Sequence, residues 1–280
     1  MIRNIYLPIL FLCFSAIVCE ARTIRVLAIG NSFSEDAIEQ NLYELAAASG
    51  DTAVIGNLCI GGCELQKHAY NAIHDAPAYR YRKIDTDGHM TQTDRMTIKA
   101  ALSDDAWDIV TLQQASHYSG IPDSYTPWLK MLADYVRENT TNDPVIGFHQ
   151  TWAYASTASH WAFVYYKNSQ TEMYNKICEA TQQAMDEAGI SLVIPTGTAI
   201  QNCRATSLGD NLNRDGYHLD LKIGRYIAAC TWYCALFNKN IIDNSYCPDS
   251  VDSQDASIAR LAAKAAVGSP WKADVIIPSF

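Results

Sequence analysis

The sequence predicts an α/β protein: one domain built on a three-layer, doubly wound sheet of five parallel strands. Short apolar runs alternate with helical patterns through most of the chain, which is the signature of parallel strands joined by crossover helices. Each run stops abruptly at glycine or polar residues, as strands do when they deliver side chains to the carboxyl edge of such a sheet. No internal repeat and no linker interrupts the pattern.

The first run, Ile24 to Ile29, ends at Gly30 and leads through Asn31 and Ser32 into a helix expected over 35–49. That helix places Ala37, Ile38, Leu42, Leu45 and Ala46 on one face and stops at Gly50. The second strand is Thr52 to Leu58, followed by Cys59-Ile60-Gly61-Gly62-Cys63. Residues 64–106 are polar and aromatic with weak periodicity, and read either as a pocket-shaping insertion or as a solvated excursion with local helix. The third strand, Asp108 to Gln113, continues into Gln114-Ala115-Ser116-His117. A helix over 127–139 precedes the fourth strand, 144–148, which delivers His149-Gln150-Thr151-Trp152 to the same edge. A helix over 168–188 ends at Gly189; the fifth strand is Ser191 to Ile194, with a short helix near 199–203. The polar loop Asn211 to His218 then enters an apolar helix over 221–237, and an Ala-rich helix over 254–267 comes last.

Composition narrows the partners. The 280 residues are 49% hydrophobic and 18% charged, a globular balance, and the formal net charge is −9 without a basic cluster. That excludes nucleic acid and anionic membrane surfaces as expected partners. Residues 1–21 read as an export signal, with Arg3, an apolar stretch from Ile5 to Val18, and small residues before a cleavage point after Ala21. Lipoprotein anchoring at Cys19 ranks second, because Val18 stands where a small residue is expected. After cleavage no integral membrane segment is expected, so the mature domain, 22–280, is read as periplasmic or extracellular. Seven of nine cysteines remain, an odd number, so at least one thiol stays free; Cys230 and Cys234, one helical turn apart, read as buried thiols. No zinc-type spacing appears, and neither a metal nor a cofactor is expected.

Ser32, Gly61 and Gly62, and Gln113 and Gln114 all follow strands, and Asp215 and His218 lie three apart in a loop. Taken singly these have ordinary explanations: Ser32 as a helix cap, the glycines as a tight turn, Asp215-Gly216 as an Asx turn. Together they supply what acyl transfer needs: a hydroxyl, an imidazole base, a carboxylate to orient it, and donors for an oxyanion. In these residues the chain resembles the SGNH (GDSL-type) hydrolases. Gly30-Asn31-Ser32 is similar to their first block, Gly62 falls at the glycine of their second, and Asp215-Gly216-Tyr217-His218 is similar to their fifth. Their third block, Gly-x-Asn-Asp, is replaced by Leu112-Gln113-Gln114-Ala115-Ser116.

The resemblance implies a flavodoxin-like fold and a Ser32–His218–Asp215 triad, with an oxyanion held by the backbone N–H groups of Ser32 and Gly62. A side-chain amide from Gln114 or Gln113 would complete that hole. His149 and Trp152 are expected to bind substrate, with His117 and Tyr154 as further pocket candidates. The expected activity is an exported serine esterase removing small acyl groups, acetyl first, from an acylated glycan. The alternatives are a lipase or lysophospholipase using the same residues, and a non-catalytic carbohydrate-binding protein on a degenerate hydrolase scaffold. A flavodoxin-like nucleotide binder is disfavoured by the lack of a phosphate-cradling glycine loop.

Overall fold

A computed structural model describes residues 21–277; the expected export signal, apart from Ala21, lies outside them. All five expected strands are present and mutually parallel: β1 (Thr23–Gly30), β2 (Thr52–Cys59), β5 (Ile109–Leu112), β6 (Val145–His149) and β7 (Leu192–Ile194). The sheet has seven strands, however, in the order β4-β3-β2-β1-β5-β6-β7. The extra pair, β3 (Tyr79–Ile84) and β4 (Met90–Met96), is an antiparallel hairpin added beside β2, so the five-strand expectation is corrected. The hairpin lies within the stretch of weak periodicity. Strand β3 buries Tyr79, Tyr81 and Ile84 between half-buried Arg and Lys residues, whereas six of the seven residues of β4 are exposed, so that strand leaves no hydrophobic trace in the sequence.

Strand β1 is central, paired to β2 on one side and β5 on the other, with Val26 in register with both Ile55 and Ile109. Burial on both faces makes its 26–30 segment continuously apolar rather than alternating. One face of the sheet is covered by α1 (Ser32–Ile38), α2 (Leu42–Ala48), α7 (Thr196–Arg204), α8 (Ile223–Phe237) and α9 (Ser253–Gly268). The other is covered by α3 (Leu65–Ile73), α4 (Ile98–Leu102) and α5 (Trp128–Glu138). Helix α6 (Gln170–Ala188) spans the two, with Met173 and Ile177 in the first core and Ala184 and Met185 in the second.

The helix expected over 35–49 is broken in two. Asn41 takes a left-handed φ of 67°, which Asn tolerates better than most residues, and its side chain accepts a hydrogen bond from Tyr246 Oη. All seven cysteines after residue 20 are thiols, and burial pushes Cys59, Cys63 and Cys234 up to about 12, well away from thiolate reactivity. No helix among the described residues is long and apolar enough to cross a membrane.

Strand β2 packs tightly at Gly56, where a Cβ would stand 2.8 Å from the Trp107 ring and 2.9 Å from Leu27. Gly56→Ala should lower stability by about 1–3 kcal/mol in urea unfolding, since neither buried neighbour has room to withdraw. An unchanged midpoint would mean that the Trp107 contact is slack.

Candidate active site

The loop from β1 into α1 is organised by Asn31. Its side chain accepts from the Phe33 N–H at 3.0 Å, capping α1, and donates to the Cys63 carbonyl at 3.0 Å, tying the cap to the glycine turn after β2. Gly30 has no room for a side chain, because a Cβ would lie 2.7 Å from Ser34 Oγ and 2.8 Å from Gln113. This places Ser32, the first residue of α1, at the carboxyl edge of the sheet and partly accessible.

Ser32, His218 and Asp215 meet. Ser32 Oγ is 2.8 Å from His218 Nε2, and His218 Nδ1 is 2.6 Å from Asp215 Oδ2. The other oxygen of Asp215 accepts from the backbone N–H groups of Tyr217 (3.1 Å) and His218 (2.7 Å), so the Asx turn and the contact with the imidazole are made by one carboxylate. Partial burial alone would raise the Asp215 pKa, but hydrogen bonds from the His218 ring and these two N–H groups outweigh it and hold the carboxyl below its ordinary value. With Nδ1–H given to the carboxylate, His218 Nε2 is left as an acceptor for the serine proton.

Gly62 lies on the opposite lip with φ +63°, a conformation that glycine adopts without cost. Its N–H and that of Ser32 have no acceptor among the described residues. The cleft between these elements, about 430 Å³, is also lined by Phe33, Ser116, His117, His160, Trp161 and Tyr217.

Four expected site residues do not reach this cleft. Gln114 is buried, its amide hydrogens given to the Ser124 carbonyl (2.9 Å) and hydroxyl (3.1 Å) and its oxygen accepting from Leu65 and Ala115, so it has no donor to offer an oxyanion. Gln113 is also buried and donates to Asn31 Oδ1 at 2.7 Å. His149 stands behind Gln113, its Nδ1 2.9 Å from Gln113 Oε1 and its Nε2 3.0 Å from Thr196 Oγ1, and burial pushes its pKa down to about 3. Trp152 is fully buried, stacked on Phe33 with centroids 4.1 Å apart, and donates to the Tyr217 carbonyl at 2.7 Å. Tyr154 is likewise buried, its hydroxyl 3.0 Å from Ser116 Oγ, so from the strand end after β5 it is Ser116 and His117 that face the cleft. Gln113, His149 and Trp152 therefore support the loops beneath the site: Asn31, Gln113, His149 and Thr196 form one continuous hydrogen-bonded chain.

A further supporting residue has no sign in the sequence. Asp36, fully buried one turn after Ser32, accepts from Arg214 (2.9 Å), from Arg225 (2.8 and 3.0 Å) and from the Leu219 N–H (2.9 Å). Arg214 and Leu219 flank the Asp215–His218 segment, so a single carboxylate ties the serine helix to the imidazole loop.

The fold and site define an α/β protein with a hydroxyl, an imidazole and a carboxylate in hydrogen-bond contact at the carboxyl edge of its sheet. The chain belongs to the family described as domain of unknown function DUF4886, whose model matches residues 25–266. A crystal structure of a DUF4886 family protein from Bacteroides uniformis is 50% identical, covers 90% of this chain and 97% of that one, and superposes with a TM-score of 0.89. A protein from Slackia heliotrinireducens named as a candidate SGNH hydrolase shares the fold at 21% identity, over 76% of this chain and 98% of that one, with a TM-score of 0.52. No curated protein matches the sequence.

Two outcomes follow for the supporting shell. Asp36→Asn should cost about 3–5 kcal/mol in urea unfolding, because it leaves two guanidinium groups facing a neutral amide; a loss under 1 kcal/mol would mean that water replaces the carboxylate. Native His149 and His68, both pushed down to about 3, stay neutral where the unfolded chain's imidazoles charge. Their contribution to stability is full above about pH 6.5 and is lost as pH falls toward 3, by up to about 1.4 kcal/mol per pH unit for each. His149→Gln should flatten the fall in unfolding free energy between pH 7 and pH 4.5; an unaltered slope would show that His149 titrates freely in the native state.

Proposed function

We propose that this chain is a serine esterase that hydrolyses small acyl esters, acetyl first, carried on carbohydrate. The observation that carries the reading is the Ser32–His218–Asp215 relay, with contacts of 2.8 and 2.6 Å, facing a cleft whose other lip offers the Gly62 N–H. None of the lining side chains is aliphatic, which favours a short acyl group and a polar alcohol over a fatty chain.

In the reaction proposed, His218 Nε2 takes the Ser32 proton as Oγ attacks the ester carbonyl. The negative charge that builds on the carbonyl oxygen is met by the N–H groups of Ser32 and Gly62. Asp215 keeps the imidazole in the accepting tautomer and stabilises it once charged. The ester C–O bond breaks, His218 returns the proton to the departing alcohol, and an acyl-serine remains. Water then attacks the acyl carbon, giving its proton to His218, and Ser32 leaves with that proton as the free acid is released. Export of the enzyme belongs to the same reading and rests on residues 1–21 of the sequence.

Hydrolysis of p-nitrophenyl acetate, butyrate and octanoate by the wild type and by Ser32→Ala tests this. The wild type should prefer acetate, and Ser32→Ala should lower kcat by about 10³-fold or more. Equal rates in the two proteins would overturn the esterase, and a preference for octanoate would move the substrate to lipids.

A further inference from the structure

The outer wall of the cleft is a continuous run of rings leading away from the imidazole base. Tyr217 packs on His218 at 4.3 Å between centroids, His160 meets Tyr217 at 5.0 Å, and Trp161 lies 5.6 Å from both His160 and His117. Trp161 opens the short 3₁₀ helix Trp161–Tyr166 and is 62% exposed, while Tyr165 supports it edge-on at 5.7 Å. A large aromatic ring held open at the mouth of a cleft needs a reason, because its burial elsewhere would have been favourable.

The neighbouring imidazoles supply one. His160 Nδ1 accepts from the Ala162 N–H at 3.2 Å, which leaves the proton on Nε2, and that atom has no partner among the described residues. Neither ring nitrogen of His117 has one. Burial lowers the pKa of both rings, so both are neutral near pH 7; His117 offers one donor and one acceptor, and His160 offers its Nε2–H donor, rather than a charge.

We propose that Trp161, His160 and His117 form a monosaccharide-binding subsite that holds the alcohol half of the ester while its acyl group lies at Ser32. A pyranose has an apolar C–H face, which an indole covers, and a rim of hydroxyls that both give and accept hydrogen bonds, as neutral imidazoles do. A fatty chain would be served by Trp161 alone and would leave three ring nitrogens desolvated and unpaired. An ionic headgroup would find no charge to meet. The proposal rests on the esterase reading for its geometry but can be tested apart from it.

The test compares 6-O-acetylglucose, which keeps its other hydroxyls free, with ethyl acetate, whose alcohol carries no ring. For Trp161→Ala, the ratio of kcat/KM on the sugar ester to that on ethyl acetate should fall about tenfold, with KM carrying the loss, and Trp161→Phe should recover most of it. Calorimetric binding of 6-O-acetylglucose to Ser32→Ala, and its roughly tenfold weakening when Trp161→Ala is added, reads the same subsite without turnover. An unmoved ratio, an equal loss on both esters, or a loss that falls instead on ethyl octanoate would overturn the subsite. Sugar binding by a protein that hydrolyses nothing would remove the esterase and leave the subsite standing.

Discussion

The candidate site depends on a buried charge. Asp36 lies in the core with two guanidinium groups and a backbone N–H directed at it, and such a carboxylate is tolerated only when its partners are held in place. That requirement acts in reverse on the chain. The segment carrying Asp215 and His218 is irregular, with little regular hydrogen bonding of its own, and its position against α1 follows from the need to satisfy Asp36. Residues some 180 positions apart in sequence are thereby brought to within one hydrogen bond of each other. The neutral chain through Asn31, Gln113, His149 and Thr196 does the same from beneath the sheet edge.

The five parallel strands were legible because most of their residues are buried, which leaves short, largely apolar runs in the sequence. Ser32, Asp215 and His218 were legible because short-range spacing determines them: one follows a strand end directly, and the other two share a single turn. The added hairpin was not, since most of β4 faces water and nothing selects an alternating pattern there. Gln114 and Gln113, expected to offer a third donor, do not face the cleft, for a different reason. Position after a strand places a residue at the edge, but whether its side chain turns into the cleft or back under it depends on the path of the next loop. Here Leu65 and Ser124 claim Gln114, and Ser116, two residues on, takes the facing position. His149 and Trp152 share this fate: both stand at the correct edge, and both face inward.

Loops from different strand ends contribute distinct chemistry to the cleft. The β1 and β2 ends bring small groups, a hydroxyl and bare backbone, which under the proposed reaction would let a planar carbonyl approach closely. The 116–117 and 160–161 segments bring rings and imidazoles, which under the proposed subsite would meet the shape and hydroxyls of a sugar. The inner part can thus remain rigid while the outer wall changes. Trp161 itself lies outside the two main cores, the first of which Phe163 and Tyr166 of the same 3₁₀ helix enter, so its replacement need not disturb the packing beneath Ser32.

The hairpin beside β2 has a consequence for how the molecule behaves at high concentration. Any open sheet offers its last strand as a template for another chain. Here that strand is β4, which carries the adjacent charges Asp94 and Arg95; Arg95 adopts a left-handed φ of 60°, and the pairing with β3 slips between Tyr79 and Tyr81. A second copy laid alongside would meet a kinked, charged ladder instead of a flat one. The segment that left no hydrophobic trace is therefore suited to keeping neighbouring molecules apart, shielding the apolar strands behind it from aggregation.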